Sequence, residues 1–295
     1  MEGDMIVKGI CLAALAVGLM GAAPAPSPAP QDIIDQSPAA AWQTVAPDDL
    51  VVMTLADGHV VTYELAPFSP VHVANIRALV RQGYFDGASI LRVQDDYVVQ
   101  WGRPDEDPTK PTGVVANPPA EYDFAQPKAF HPLPYPDAYA AKAGTIDGWP
   151  AASDGKTAWL VHCYGMIGVA RDNPPTTGDG TQLYTVIGHA PRHLDRNLTV
   201  VGRIIDGMEF LTAQKRGTGD LGFYKTDAER LKIVSTKMAS DLPAAARPAF
   251  QVMDTNSATF DQWVHARANR DQAFFVRPAG AVDVCNALPP VRKAP

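Results

Sequence analysis

The hydrophobic pattern from Asp49 onward predicts a β-hairpin followed by a helix. Apolar and β-branched residues fill 50–55 and 60–65, and Asp57-Gly58 between them has the chemistry of a tight turn. Ser69-Pro70 then indicates a helix start, because serine suits an N-cap and proline fits the first helical turn. The helix should end near Gly83. Apolar residues recur at helical spacing before that point, at Val73, Ile76, Leu79 and Val80.

Further apolar runs predict the remaining strands of a domain that extends over residues 49–242. The runs lie at 89–102, 160–170, 183–187, 199–205 and 231–238. Residues 207–215 predict a short helix before the last strand.

The stretch 104–158 interrupts this pattern. It is rich in Pro, Ala, Asp and Gly, and it predicts a long irregular insertion with a short helix near 136–142. Loops of this length are usually functional, lid-like or disordered.

The first residues have the order of a secretory signal peptide. Lys8 precedes a short apolar run at 10–19, and small residues follow, so residues 1–25 are expected to be removed after Ala23 or Ala25. The alternative is an uncleaved membrane anchor, although the run is too short to cross a bilayer comfortably. We therefore expect an exported, periplasmic protein with no stable membrane insertion after cleavage.

Two further segments flank the central domain. Residues 26–48 begin with a Pro/Ala-rich run and predict an extended, unpacked linker. The C-terminal extension, 243–295, has a helical pattern at 257–269 and a strand-like run at 273–277. We expect it to pack on the central domain because it carries large aromatic residues, among them Trp263, Phe274 and Phe275.

Composition narrows the possible partners. The chain has 46% hydrophobic and 19% charged residues, as in globular proteins, and its net charge of −7 argues against nucleic-acid binding. Cys163 and Cys285 would remain in the mature protein. In an oxidising compartment they form a candidate disulfide, and two buried free thiols are the alternative. No sequence feature indicates an oligomeric state.

The candidate chemistry lies in the run 89–102, which places Arg92 close to Tyr97-Val98 and Gln100. A single fixed cation beside an apolar pocket suits chemistry on a neutral amide. Together with Gly180-Thr-Gln-Leu-Tyr184 and the run 193–203, this stretch resembles the active-site strands of a cyclophilin-type peptidyl-prolyl cis-trans isomerase.

The resemblance implies a fold and an activity. The fold would be a closed, eight-stranded antiparallel β-barrel, mainly β, capped by two helices. The activity would be isomerisation of X–Pro bonds in unfolded or flexible exported polypeptides, assisting their folding. It would be noncovalent, with no metal and no other cofactor.

The resemblance also implies roles for single residues. Arg92 matches the catalytic arginine, and Gln100 matches the glutamine that orients this arginine and the substrate carbonyl. Ala170 and Arg171 would offer backbone groups to the peptide. The full set of substrate-binding candidates is Tyr97, Val98, Ala170, Arg171, Gln182, Tyr184, His193, Leu194 and Leu198.

This chain departs from the family pattern at several positions. Ile90-Leu91 replaces an aromatic-His pair, His193 replaces a tryptophan, and Leu198 replaces a histidine of the pocket. These changes favour an alternative, a cyclophilin-like proline-peptide binding or chaperone module with little or no turnover.

One further motif carries no function on this interpretation. Gly217 to Gly222 spells the dinucleotide-binding pattern G-x-G-x-x-G, but it follows a predicted helix and not a strand, so we interpret it as a loop. The seven histidines are scattered along the chain, and none belongs to an H-E-x-x-H pattern that would indicate a metal site.

Overall fold

The computed structural model describes residues 27–294, whose regular secondary structure is mainly β-strand. The strands are β1 (Trp42–Thr44), β2 (Leu50–Leu55), β3 (Val60–Leu65), β4 (Ser89–Gln94), β5 (Val98–Gly102), β6 (Phe124–Ala125), β7 (Phe130–Pro132), β8 (Lys142–Ile146), β9 (Trp149–Ser153), β10 (Thr157–Leu160), β11 (Met166–Val169), β12 (Gln182–Val186), β13 (Val200–Asp206), β14 (Ile233–Met238), β15 (Phe250–Met253) and β16 (Val291–Lys293). The α-helices are α1 (Pro30–Asp35), α2 (Pro70–Arg81), α3 (Met208–Thr212) and α4 (Ala258–Ala268).

Eight antiparallel strands form a nearly closed barrel in the order β14-β2-β3-β13-β11-β12-β5-β4. Its two end strands meet through backbone hydrogen bonds. The Ile90 N–H donates to the Leu231 carbonyl, and the Ile233 N–H donates to the Ala88 carbonyl, each at 2.8 Å. Apolar side chains of α2 and α3 join the barrel core. The predicted eight-stranded antiparallel barrel with two helices is confirmed.

Helix α2 begins at Pro70 as predicted, but its N-terminus is held by a distant residue. The Ser69 hydroxyl does not cap the helix and donates to the Val200 carbonyl at 3.0 Å. The Glu121 carboxylate accepts the backbone N–H groups of the second and third helical residues, each at 3.0 Å. A carboxylate there satisfies donors that lack a partner within the helix. Glu121 therefore ties the insertion to the barrel.

The insertion 104–158 differs from the irregular segment that the sequence predicted. It contributes the sheet β6-β10-β9-β8-β7, although β10 continues to Leu160, and the helix expected near 136–142 is not formed. Small residues such as Ala143, Ala151 and Ala152 are buried in this sheet. Alanine has a weak preference for strands, so the sequence concealed them. They form strands because they pack against large aromatic side chains of the insertion and the tail.

Residues 26–48 also differ from the unpacked linker that was predicted. Helix α1 and strand β1 lie in this range, and Ile33 and Trp42 are buried there. Strand β1 pairs with β15 of the C-terminal extension. Burial of Ile33 and Trp42 in a shared apolar cluster explains why a segment that opens with prolines is ordered.

The C-terminal extension packs on the rest of the molecule. Helix α4 buries Phe260, Trp263 and Val264 on the face that the helical pattern indicated. These side chains join the apolar cluster of the insertion sheet. The strand expected at 273–277 is wrong: the segment is irregular, and Phe274 is 86% exposed.

Two further links hold the insertion and tail to the barrel. Arg203 of β13 donates to the Glu64 carboxylate at 2.8 Å and to the Gly148 carbonyl at 2.6 Å, and its guanidinium lies 4.3 Å from the centre of the Trp149 ring. The structure also joins Cys163 and Cys285 in a disulfide. Cys163 lies just before β11 of the barrel, so this bond fastens the tail directly beside it.

The predicted signal peptide, residues 1–25, lies outside the described residues. Within residues 27–294, none of the helices has the length and apolar character needed to span a bilayer.

Loss of the disulfide is expected to lower stability. Replacing Cys163 and Cys285 together by alanine should reduce the free energy of unfolding by about 2–5 kcal/mol, because the bond closes a long loop in the unfolded chain. Urea unfolding of the oxidised wild type and the double variant measures this. Reduced wild type is the control and should match the variant. Equal unfolding midpoints for the oxidised protein and the variant would contradict the prediction.

Candidate active site

A row of side chains crosses three neighbouring strands on the outer face of the barrel. Arg92 of β4 lies opposite Gln100 of β5, and Gln100 lies opposite Tyr184 of β12. Residues directly opposite each other in antiparallel strands project to the same face. The barrel register therefore places Tyr184 in line with Arg92 and Gln100, which lie far earlier in the sequence.

This row lies in a groove of about 570 Å³. The groove is lined by ten of the eleven predicted catalytic and substrate-binding residues, namely Arg92, Tyr97, Val98, Gln100, Ala170, Arg171, Gln182, Tyr184, Leu194 and Leu198. His193 is not among the lining residues. Its ring stacks on Tyr97 with the ring centres 6.3 Å apart, so it supports one wall from outside.

Hydrogen bonds and aromatic rings from neighbouring residues hold the Arg92 guanidinium at the edge of the groove. Its Nε donates to the Leu221 carbonyl at 2.6 Å, and one terminal amino group donates to the Gln94 side chain. The rings of Phe223 and Tyr97 lie 5.2 and 5.5 Å from the guanidinium carbon. These contacts restrict the side chain and leave its other terminal amino group without a protein partner among residues 27–294.

The charge of this guanidinium is retained. Burial lowers the pKa of Arg92, while the neighbouring Tyr97 acts in the opposite direction. An arginine starts so far above neutrality that it stays protonated at any working pH. The groove therefore contains a fixed hydrogen-bond donor with a full positive charge.

The role predicted for Gln100 needs correction. Its amide donates to the Gln182 side chain at 2.8 Å, and Gln182 in turn donates to the Arg103 carbonyl at 3.0 Å. Gln94 and Leu221, and not Gln100, are the residues that hydrogen-bond to Arg92. The two predicted glutamines do lie together, as a fixed pair of amides beside the arginine.

The apolar part of the groove lies next to this row. Val98 and Tyr184 are buried together, with Tyr97, Ala170 and Leu198 packed against them. Leu198 places a hydrocarbon side chain in the groove, where the family pattern has a polar histidine. The result is a wall built mainly of aliphatic and aromatic surface beside a cation.

The backbone of Ala170 can fill only part of the role predicted for it in binding the peptide. Its N–H donates to the Gln182 carbonyl at 3.0 Å, so that donor is already used within the protein. The side chain of Arg171 donates to the Asp172 and Asn197 carbonyls at 2.7 and 2.9 Å. Arg171 is thus fixed at the rim by its own neighbours.

The loop 217–223 supplies two residues that the sequence did not indicate: Phe223, which lines the groove, and Leu221, whose carbonyl accepts a hydrogen bond from Arg92. It docks on the free edge of β4, where the Gly217 N–H donates to the Val93 carbonyl at 2.9 Å. Gly222 has φ of +79°, and a Cβ there would lie 2.6 Å from the Gln94 Cα, so this close approach needs glycine. The glycines of this loop, whose spacing matches a dinucleotide-binding motif, therefore allow the loop to pack against β4, the strand that carries Arg92.

The described residues also offer no candidate metal centre. Between residues 27 and 294, no three His, Cys, Asp or Glu side chains are grouped so that they could hold a metal ion. Around the Arg92 guanidinium the groove presents two amides and an apolar wall, and its lining also includes the charged residues Asp105, Glu106, Arg171, Asp172, Asp179 and Arg230. Such a set can bind and polarise a neutral peptide, and it includes no evident nucleophile beside a base.

The groove and the barrel agree with the comparisons to known proteins. The sequence profile of the family "Cyclophilin type peptidyl-prolyl cis-trans isomerase/CLD" matches residues 50–238. A probable peptidyl-prolyl cis-trans isomerase of Brucella suis biovar 1 is 27% identical over 174 residues, which cover 58% of this chain and 74% of that protein. Its counterpart from Brucella abortus strain 2308 is 26% identical over 173 residues with the same shares.

A solved structure extends the likeness beyond the matched range. Cyclophilin AquaCyp293 from Hirschia baltica is 26% identical and superposes with a TM-score of 0.62 over 82% of this chain and 91% of its own. That share of this chain is larger than residues 50–238, so the likeness includes part of the flanking segments. The barrel, the order of its site residues and these matches lead to one conclusion: the chain belongs to the cyclophilin-type peptidyl-prolyl cis-trans isomerase family.

Proposed function

We propose that this protein catalyses cis-trans isomerisation of X–Pro bonds in exported, unfolded or flexible polypeptides and thereby assists their folding. The observation that carries the proposal is the Arg92 guanidinium, which is held beside the apolar wall of the groove with one amino group unpaired in the described residues. Peptidyl-prolyl isomerase activity is the function of the family to which the chain belongs.

The chemistry requires little from the protein apart from position and charge. Rotation about the X–Pro bond must give up amide resonance, with a barrier of about 18–20 kcal/mol. In the twisted state the prolyl nitrogen regains its lone pair and becomes a hydrogen-bond acceptor. A cationic donor at that place stabilises the twisted state more than either planar isomer, which is the condition for catalysis.

The groove supplies the parts that such a reaction needs. The wall of Val98, Tyr184 and Leu198 accepts the pyrrolidine ring and excludes water from it. Arg92 stands at the edge of this wall, where the prolyl nitrogen would lie. The amides of Gln100 and Gln182 fix each other, so they can hold the adjoining peptide without moving. No covalent intermediate is needed.

Removal of the guanidinium should abolish most of the rate enhancement. Arg92→Ala is expected to lower kcat/KM about 10²-fold, because the variant loses a charged donor that acts in the transition state. A protease-coupled assay with a short proline peptide measures this. Arg277→Ala, which changes an exposed arginine of the tail, is the matched control.

Equal rates for the wild type and Arg92→Ala would remove the enzymatic proposal. The remaining candidate would then be a proline-peptide binding module, which the replacement of a pocket histidine by Leu198 favours. Peptide-induced NMR shifts at the groove without any catalysed rate would identify that function.

The contacts that hold Arg92 should affect the rate to a smaller degree. Gln94→Ala removes one acceptor from the guanidinium and is expected to lower kcat about three- to tenfold, since a hydrogen bond to a charged group contributes roughly 1 kcal/mol or more. Gln31→Ala changes an exposed glutamine far from the groove and serves as the control. A kcat for Gln94→Ala within error of the control would show that Gln94 does not position the arginine.

The proposal also includes export of the protein to the periplasm. The order of charge, apolar run and small residues in 1–25 favours it, and the disulfide Cys163–Cys285 suits an oxidising compartment. Periplasmic fractionation of bacteria that express the full chain should yield a mature protein that starts at Pro24 or Pro26, as read by mass spectrometry. Leu15→Asp interrupts the apolar run and should keep the chain unprocessed in the cytoplasm. An unprocessed wild-type chain in the cytoplasm would contradict export.

A further inference from the structure

The hydroxyl of Tyr184 points away from the groove that its ring lines. The oxygen lies 2.9 Å from Nε2 of His162, and the two rings are almost parallel with their centres 6.2 Å apart. Both side chains are buried, with 4% of Tyr184 and 1% of His162 exposed. His162 therefore lies directly behind the apolar wall and does not itself line the groove.

A glycine in the neighbouring strand makes this contact possible. Gly168 of β11 lies opposite Tyr184 of β12, and a Cβ at that position would lie 2.2 Å from the tyrosine oxygen. Any larger residue would occupy the space of the hydroxyl. Because Gly168 has no side chain, the space beside its Cα accommodates the hydroxyl oxygen of Tyr184.

The hydrogen bonds around His162 determine which group donates to the other. Oδ1 of Asp195 lies 2.9 Å from the backbone nitrogen of His162 and 3.0 Å from Nδ1 of its ring. A carboxylate only accepts hydrogen bonds, so Nδ1 carries the proton, and in the neutral ring Nε2 is an acceptor. Burial, followed by the nearby Tyr97 and Asp195, raises the pKa of the Tyr184 hydroxyl well above its usual range. Tyr184 is therefore the donor and His162 the acceptor.

Asp195 is in turn fixed by a buried ion pair that reaches the insertion. Nε of Arg192 donates to Asp195 at 2.5 Å, and its two amino groups donate to Asp137 at 2.9 and 3.2 Å. The three side chains are between 3% and 7% exposed. Burial by itself lowers the pKa of Arg192, but the two carboxylates outweigh burial and raise it. Arg192 is therefore held in its charged form between the carboxylates of Asp137 and Asp195.

We propose that His162 is a positioning residue of the proline pocket, which it serves by keeping the Tyr184 hydroxyl turned inward so that only apolar ring surface faces the substrate. The inference rests on the proposed function, because it concerns the affinity of that same groove for proline. Without the acceptor at His162, the tyrosine would hold a buried hydroxyl with no partner. An unpaired buried hydroxyl is costly, so the group would turn towards the groove and place a polar atom against the pyrrolidine ring.

This mechanism predicts a rescue that a purely structural role would not show. His162→Leu removes the acceptor and fills the space, and it should raise KM and the peptide Kd about tenfold with kcat within about twofold. The reason is that the wall contacts the proline ring equally in the planar and twisted states. Adding Tyr184→Phe removes the misplaced hydroxyl, and the double variant should return to within about threefold of the wild-type Kd. His162→Gln, which can again accept from the tyrosine, should stay close to the wild type.

The experiment measures Kd by NMR titration with a short Ala-Pro-containing peptide, and KM and kcat by the coupled assay. Val264→Ala, a core change in α4, controls for a general loss of stability. A double variant that binds as weakly as His162→Leu, or a single variant with an unchanged Kd, would overturn the inference. If His162→Leu does not fold, two other variants provide the comparison: His162→Gln alone, and His162→Gln combined with Tyr184→Phe. Binding weakened about tenfold in both variants would overturn the inference, and near-wild-type binding in both would support it.

Failure of the inference can be told apart from failure of the proposed function. A wild-type protein that neither binds the peptide nor accelerates its isomerisation would contradict the function itself. A wild type that does both, together with His162→Leu that behaves in the same way, would contradict only the role of His162.

Discussion

The proposed activity depends on the placement of one permanent positive charge beside the apolar wall of the groove. A guanidinium would ordinarily turn into solvent, because its hydration is favourable. Here the Leu221 carbonyl and the Gln94 side chain replace part of that hydration, and the Phe223 ring lies against it. The charge can then stay next to Val98 and Tyr184, where the low dielectric strengthens its action on a peptide. The loop 217–223 is as necessary for this arrangement as the strand that carries Arg92.

The parts outside the barrel support this groove from behind. The insertion contributes Asp137 to the buried ion pair behind His162, and it contributes Glu121 to the start of α2. The tail is bonded to Cys163, the residue after His162. Asp137 and the disulfide therefore act close to His162, which lies directly behind the wall of the groove. An enzyme that works by position alone benefits from such rigid surroundings.

The sequence predicted those features that follow from local patterns. The β2–β3 hairpin and α2 were visible because each carries its own period and its own turn or start signal. Ten members of the groove were also predicted, since the family order of Arg92, Gln182 and Leu194 was present. The insertion sheet was missed because alanine-rich strands have no signal of their own and form only through burial against tryptophans. The partners of Arg92 were missed for a related reason: Leu221 is more than a hundred residues away and acts through its carbonyl, which any residue possesses.

The most direct test concerns the donor role of Arg92 on the bound peptide. NMR exchange spectroscopy with a proline peptide at saturating protein gives the rate of interconversion between bound cis and trans forms, separately from affinity. The account predicts rapid exchange on the wild type, with Arg92→Ala binding the peptide at similar affinity because the apolar wall is intact, but with exchange close to the uncatalysed rate. Exchange at the wild-type rate on the peptide-saturated Arg92→Ala protein would contradict the claim that this guanidinium stabilises the twisted bond.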